Sequence, residues 1–150
     1  MQGKTHAAWG VASGLTAGAL VGAASWPELA ACALVGGLAG LAPDWLQINI
    51  PGVKQIKGMF GHRGFSHWLW TPILLAYALY TFCIAPRSLS MAFFCAWGSH
   101  IALDALSNGV PAFWPFGRLT LAHIKTGARL DNLIGGAGLI FAALTAYLQI

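Results

Sequence analysis

Charge is what this chain has least of. Only 8% of its 150 residues are Asp, Glu, Lys or Arg, and only four are acids, against roughly 25% charged residues in ordinary soluble domains. Cysteine is scarcer still: Cys32, Cys83 and Cys95 lie inside apolar stretches with no CxxC spacing. That argues against a disulfide framework or a cysteine metal motif and suits small core hydrophobes. Basic runs are missing too. Eight Lys and Arg give a net charge of +4 but are scattered between apolar stretches, which argues against a nucleic-acid partner. What remains is 57% apolar, with a mean hydropathy of +0.67. Such a chain is expected to be a single integral membrane domain, residues 1–150.

A spanning helix needs about 20 mainly apolar residues. Five stretches come near that length, roughly 7–25, 28–43, 67–85, 89–107 and 132–150, so the expected fold is an all-α membrane bundle of about five transmembrane helices. Pro27 suits a first helical turn and Pro86 separates two stretches, while Ser66 and Asp131 are expected N-caps. With five crossings, Lys4, Lys54, Lys57, Arg63, Arg118, Lys125 and Arg129 share one side and Arg87 stands alone on the other. The positive-inside rule then places the N-terminus in the cytoplasm. Lys4 and the small residues at 23–25 also resemble a signal peptide, but one lysine and a long glycine-spaced run favour a retained helix.

The scarce ionisable groups are not scattered. His6 opens the first stretch, Asp44 closes the second, His62 and His67 lead into the third, and His100 and Asp104 end the fourth. Ionisable residues in membrane segments are functional candidates by default. On the expected topology all six lie at one membrane face, and imidazole plus carboxylate is a zinc-type ligand set. Small-residue stripes run up to them: Gly10, Gly14, Gly18 and Gly22 behind His6; Cys32, Gly36 and Gly40 before Asp44; Ala92 and Ala96 before His100. Such stripes let helices pack closely in lipid, so the ligands are expected to face the bundle interior. His100 and Asp104, at i and i+4, share a helical face.

The pieces Thr5-His6, Ala42-Pro43-Asp44, His62-Arg63-Gly64-Phe65-Ser66-His67, His100 through Gly109, and Trp114-Pro115-Phe116 run in the order seen in a known family. The chain resembles the YdjM-type bacterial inner-membrane, metal-dependent hydrolases, which look distantly similar to zinc-dependent phospholipases C and P1-type nucleases. The resemblance implies a bacterial inner-membrane, multi-pass protein with a metal site of His6, Asp44, His62, His67, His100 and Asp104. It departs at three points: the family's PDxD carries Leu46 as its last residue here, Trp68 replaces a small hydroxyl residue, and Asp131 stands where a Glu is common.

Together these readings predict hydrolysis of a phosphoester, of a lipid or lipid-linked substrate, at the cytoplasmic face. The cofactor is one or two divalent ions, Zn2+ first, with Mn2+ or Fe2+ as alternatives. Arg63 is the expected phosphate contact, and Asp44 or Asp104 the expected base. The alternative is a non-enzymatic subunit of a membrane assembly or homo-oligomer, with a structural metal. Lys54 and Lys57 with their apolar neighbours suggest a segment lying on anionic lipid. Phe113, Trp114 and Phe116 suggest interfacial anchors. His123, outside every motif, is expected at the surface.

Overall fold

Glycine decides how the first helices meet. In the computed structural model, which describes residues 1–46, 64–82 and 85–149, α1 (Gly3–Leu20) and α2 (Trp26–Ala39) cross with their backbones in contact. A Cβ on Gly14 would stand 2.5 Å from the Cys32 carbonyl oxygen and 2.8 Å from Gly36 Cα, so no larger residue fits there unmoved. This is the close approach that small-residue spacing permits. The Gly10 to Gly18 stripe lies in that seam, but Gly22 does not: it adopts φ +100 beyond the helix end with nothing near it.

α2 is capped by Ser25, whose side chain accepts from the Glu28 amide, and Pro27 sits in its first turn. A short α3 (Ala42–Trp45) continues it. After a 3-10 turn at Phe65–His67 come α4 (Trp70–Phe82), α5 (Arg87–Ser107) and α6 (Arg129–Tyr147). α1 is the hub, packed against α2, α5 and α6. One apolar core sits around Ala12, Leu15, Cys32 and Ala92, and a second around Trp97, Ile101, Val110 and Ala112.

The expectation of five membrane spans is overturned. Among the described residues three helical segments are long and apolar enough to cross a bilayer: Trp26–Trp45, Arg87–Ser107 and Arg129–Tyr147. The stretch at 7–25 folds as α1, starting earlier and carrying Lys4, Thr5 and His6, with glycine, serine and threonine diluting its apolar content. Flanked by three other helices, it need not match lipid. The stretch at 67–85 loses its start to the 3-10 turn, leaving α4 with 13 residues. At 1.5 Å per residue that is roughly 20 Å, short of a hydrocarbon core of about 30 Å. With three crossings the split of basic residues, which depends on five, no longer fixes the side of the N-terminus.

Two expected caps also move. Ser66 lies inside the 3-10 turn rather than capping α4. Asp131 stands in the first turn of α6, whose N-cap position is Ala128. At the α5 terminus Asn108 is the C-cap and Gly109 follows at φ +74, with both amides bonding the Asp104 carbonyl.

Candidate metal centre

Three local devices bring distant residues to one end of the bundle. On α5, the i, i+4 spacing places His100 and Asp104 on the face turned toward α1 and α2; both are buried. Asp44 comes from α3, which follows directly on the close-packed glycine face of α2. His67 is delivered by the 3-10 turn. That turn is tied down by the Trp97 indole donating to the Ser66 carbonyl at 2.8 Å, and by the Leu69 amide bonding the Ala112 carbonyl at 3.0 Å.

One ligand atom from each of Asp44, His67, His100 and Asp104 lies within 4.8 Å of all the others. His67 Nε2 is 3.2 Å from His100 Nε2, 3.4 Å from Asp104 Oδ2 and 3.8 Å from Asp44 Oδ1. His100 Nε2 is 3.7 Å from Asp44 Oδ1 and 4.0 Å from Asp104 Oδ2. Four ligands at 2.0–2.1 Å around a tetrahedral ion would stand roughly 3.3 Å apart. The spacing therefore suits an ion after small side-chain movements, and Asp44, at 32% exposed, has the most room to move.

The chemistry of the donors agrees with the geometry. His100 Nδ1 lies 2.7 Å from the Gly40 carbonyl, which can only accept. Nδ1 therefore carries the hydrogen, and Nε2 of the neutral ring presents a lone pair. His67 Nδ1 is engaged by Ser66 Oγ at 3.0 Å, which orients that ring as well. Fixing one ring nitrogen so that the other faces an ion is the usual outer arrangement of a metal-binding histidine. Two imidazoles and two carboxylates thus converge in a buried place, where bringing acceptors together without a cation is costly.

His6 stands beside the four rather than among them. Its ring stacks on His100 with centroids 3.8 Å apart, and its Nε2 is 3.2 Å from Asp104 Oδ1. Its Nδ1 is buried with no hydrogen-bond partner among the described residues. Asp104 Oδ1 also accepts from the Met1 ammonium at 2.8 Å, so this carboxylate faces the four-residue cluster with one oxygen and α1 with the other. A separate clamp holds α1 to α6. Asp131 accepts from Thr5 Oγ1 at 2.7 Å, from the Gly127 amide at 2.8 Å and from the Gln2 amide at 3.1 Å.

His62 and Arg63, and the segment of Lys54 and Lys57, lie outside the described residues. Cys32 and Cys95 are free thiols, and Cys83 also lies outside the described residues. His123 is exposed, as expected. Leu46, at the position of the family's second acid, is 43% exposed and brings no carboxylate. The Gly40 carbonyl has no side-chain signal in the sequence that would mark it as a partner of His100. Ser66, expected as a cap, is instead the partner of His67, its neighbour in the His-Arg-Gly-Phe-Ser-His segment.

Comparison with known proteins fits a helical membrane protein carrying a buried His/Asp cluster. The chain is 31% identical over 154 residues to "Uncharacterized protein YvsG" of Bacillus subtilis (strain 168), covering 95% of this chain and 92% of that protein. No solved structure matches. The YdjM inner membrane protein family matches residues 1–150, from end to end, and the chain belongs to that family.

Proposed function

We propose that this protein is a membrane-bound, metal-dependent hydrolase of phosphoesters, with a lipid or lipid-linked substrate. The observation that carries this reading is the convergence of the His67 and His100 Nε2 atoms with the Asp44 and Asp104 carboxylates. Those four residues would hold the divalent ion, zinc by the donor set, with manganese or iron as alternatives. A bound divalent ion lowers the pKa of a water and polarises a phosphoryl oxygen. The chain does the rest. Gly40 and Ser66 orient the two imidazoles, and buried Asp104 is anchored on its far side by Met1 and His6. Asp44 is the partly exposed member, so the carboxylate oxygen that does not hold the ion would take a proton from water entering on the open side. Arg63 keeps the phosphate-binding role that its place in the sequence suggests.

A lipid substrate is supported by an apolar groove of about 510 Å³ lined by Phe65 and Trp68, which flank Ser66 and His67 in the chain, and by Leu74, Leu75 and Trp114. Trp68 and Trp114 stack there with centroids 4.3 Å apart and planes 3° from parallel. The full-length protein, loaded with zinc in mixed micelles of inner-membrane lipids, should release phosphate or a phosphorylated headgroup in a chelator-sensitive manner. His100→Ala should abolish the release, and Arg63→Ala should slow it roughly a hundredfold.

A structural metal is the second reading. It is favoured by the complete burial of His67 and His100 and by Leu46 in place of an acid. Metal retained at full stoichiometry with no turnover of any lipid phosphoester would establish it over the first. Leu46→Asp tests the same point from the other side, since a gain of turnover would show what the leucine removes.

A further inference from the structure

A second groove, of about 400 Å³, lies between α4 and α5 at the opposite end of α5 from the His/Asp cluster. Arg87 and Asp104 are 17 residues apart on one helix, about 25 Å, so neither site can serve the other directly. The walls of this groove grade from polar to apolar in one direction. On α5 the lining residues are Arg87, Ser90, Met91 and Phe94, an i, i+3, i+4, i+7 stripe that runs from cation to hydroxyl to thioether to ring. On α4 they are Tyr80, Tyr77, Ala76 and Ile73, the same stripe read backwards, with both phenols near the Arg87 end.

Among the described residues, two polar groups in this groove lack partners. Ser90 is 5% exposed, and its hydroxyl makes no hydrogen bond, a costly state for a buried donor. Arg87 is exposed at the end of a membrane-spanning helix. The acid at that end, Glu28, is already engaged by the Ser88 hydroxyl at 2.5 Å and the Ala24 amide at 3.4 Å. No carboxylate partner for Arg87 is found among the described residues.

We propose that this groove binds an anionic phospholipid, with the phosphate on the Arg87 guanidinium, an ester carbonyl accepting from Ser90 Oγ, and one acyl chain along Met91, Phe94, Ala76 and Ile73. The spacing fits: Arg87 and Ser90 are separated by about 4.5 Å along the axis, comparable to the step from a phosphate to the nearest ester of the same lipid. Guanidinium matches a phosphate by charge and by its paired donors. The buried hydroxyl distinguishes the site from the ordinary lipid boundary, because hydrocarbon chains alone would leave it unsatisfied. This inference does not depend on the hydrolase reading.

The test is a titration of the full-length protein in non-ionic detergent with palmitoyl-oleoyl phosphatidylglycerol, or with diacylglycerol carrying the same chains. Native mass spectrometry counts the lipid bound. Phosphatidylglycerol should saturate at a single molecule per chain and diacylglycerol should bind about tenfold more weakly. Arg87→Gln should erase that preference, and Ser90→Ala should weaken phosphatidylglycerol about threefold. Metal content should not change in either variant. Equal binding of both lipids would overturn the proposal, and that comparison needs no variant to fold. So would crosslinking of Tyr77→Cys between two copies, which would put a second chain in the groove.

Discussion

The α1–α2 seam and the α4–α5 seam are built on opposite principles. In the first, glycines bring backbones into contact; in the second, tyrosine, methionine and phenylalanine hold two helices apart and leave a groove. Both His6 and the Gly40 carbonyl, which sets the His100 ring, belong to the close-packed seam. A seam with no side-chain layer transmits any backbone shift directly to the groups it carries. A seam lined by long side chains absorbs such a shift by rotamer change. The polar cluster therefore sits where positions are fixed, and the groove where they can adapt.

The largest expected effect breaks the cluster at the end of the tight seam. His100→Ala or Asp104→Ala should reduce bound metal from roughly one equivalent to near none, because each removes a ligand from a four-residue set. His123→Ala, on an exposed residue, should leave it intact. Plasma emission measurements on the three purified variants decide the matter, and equal metal in all of them would refute the assignment.

Next comes the seam itself. In Gly36→Ala the new Cβ would stand 2.9 Å from Gly14 Cα and closer still to the Gly10 carbonyl oxygen. Forcing the helices apart should destabilise the protein by about 1–3 kcal/mol, as overpacking does. It should also weaken metal binding without touching any ligand, by displacing Gly40. A variant that loses stability but keeps wild-type metal affinity would show that seam and cluster are uncoupled.

Ser66→Ala should have a smaller effect. It frees the His67 ring from its 3.0 Å contact while leaving the Nε2 ligand in place. Loss of a partner to a metal-binding histidine typically weakens affinity by about 10–100-fold. A competitive titration against a coloured chelator would read this directly, and an unchanged constant would make the Ser66 contact incidental.

How much of this was legible in the sequence follows from the same contrast. The gathering of Asp44, His67, His100 and Asp104 was readable, because residues four apart on a helix share a face and the glycine and alanine stripes marked which face is inward. The small-residue seam was readable for the same reason. The span count was not. Hydropathy runs did not reveal that residues 65–69 would leave the helix to place His67, shortening α4 to 13 residues. Nor did they reveal that α1, with Lys4, Thr5 and His6 in its first turns, would pack inside three other helices. The orienting groups were hidden for a different reason: a backbone carbonyl such as that of Gly40 carries no letter of its own.

The smallest expected effect sharpens the comparison by repeating one chemical change away from the tight seam. Gly98 lies in α5, and a Cβ there would meet nothing within 4 Å. Gly98→Ala therefore adds a methyl group with no clash and removes the conformational freedom that glycine contributes to the unfolded chain. It should stabilise the protein by about 0.5 kcal/mol, opposite in sign to Gly36→Ala, with metal affinity unchanged. Thermal unfolding of the two variants in the same detergent tests the pair, since the added atoms are identical and only their surroundings differ. If Gly98→Ala destabilised as much as Gly36→Ala, the penalty would belong to alanine in these helices generally. Close backbone contact between α1 and α2 would then no longer explain why glycine is required there.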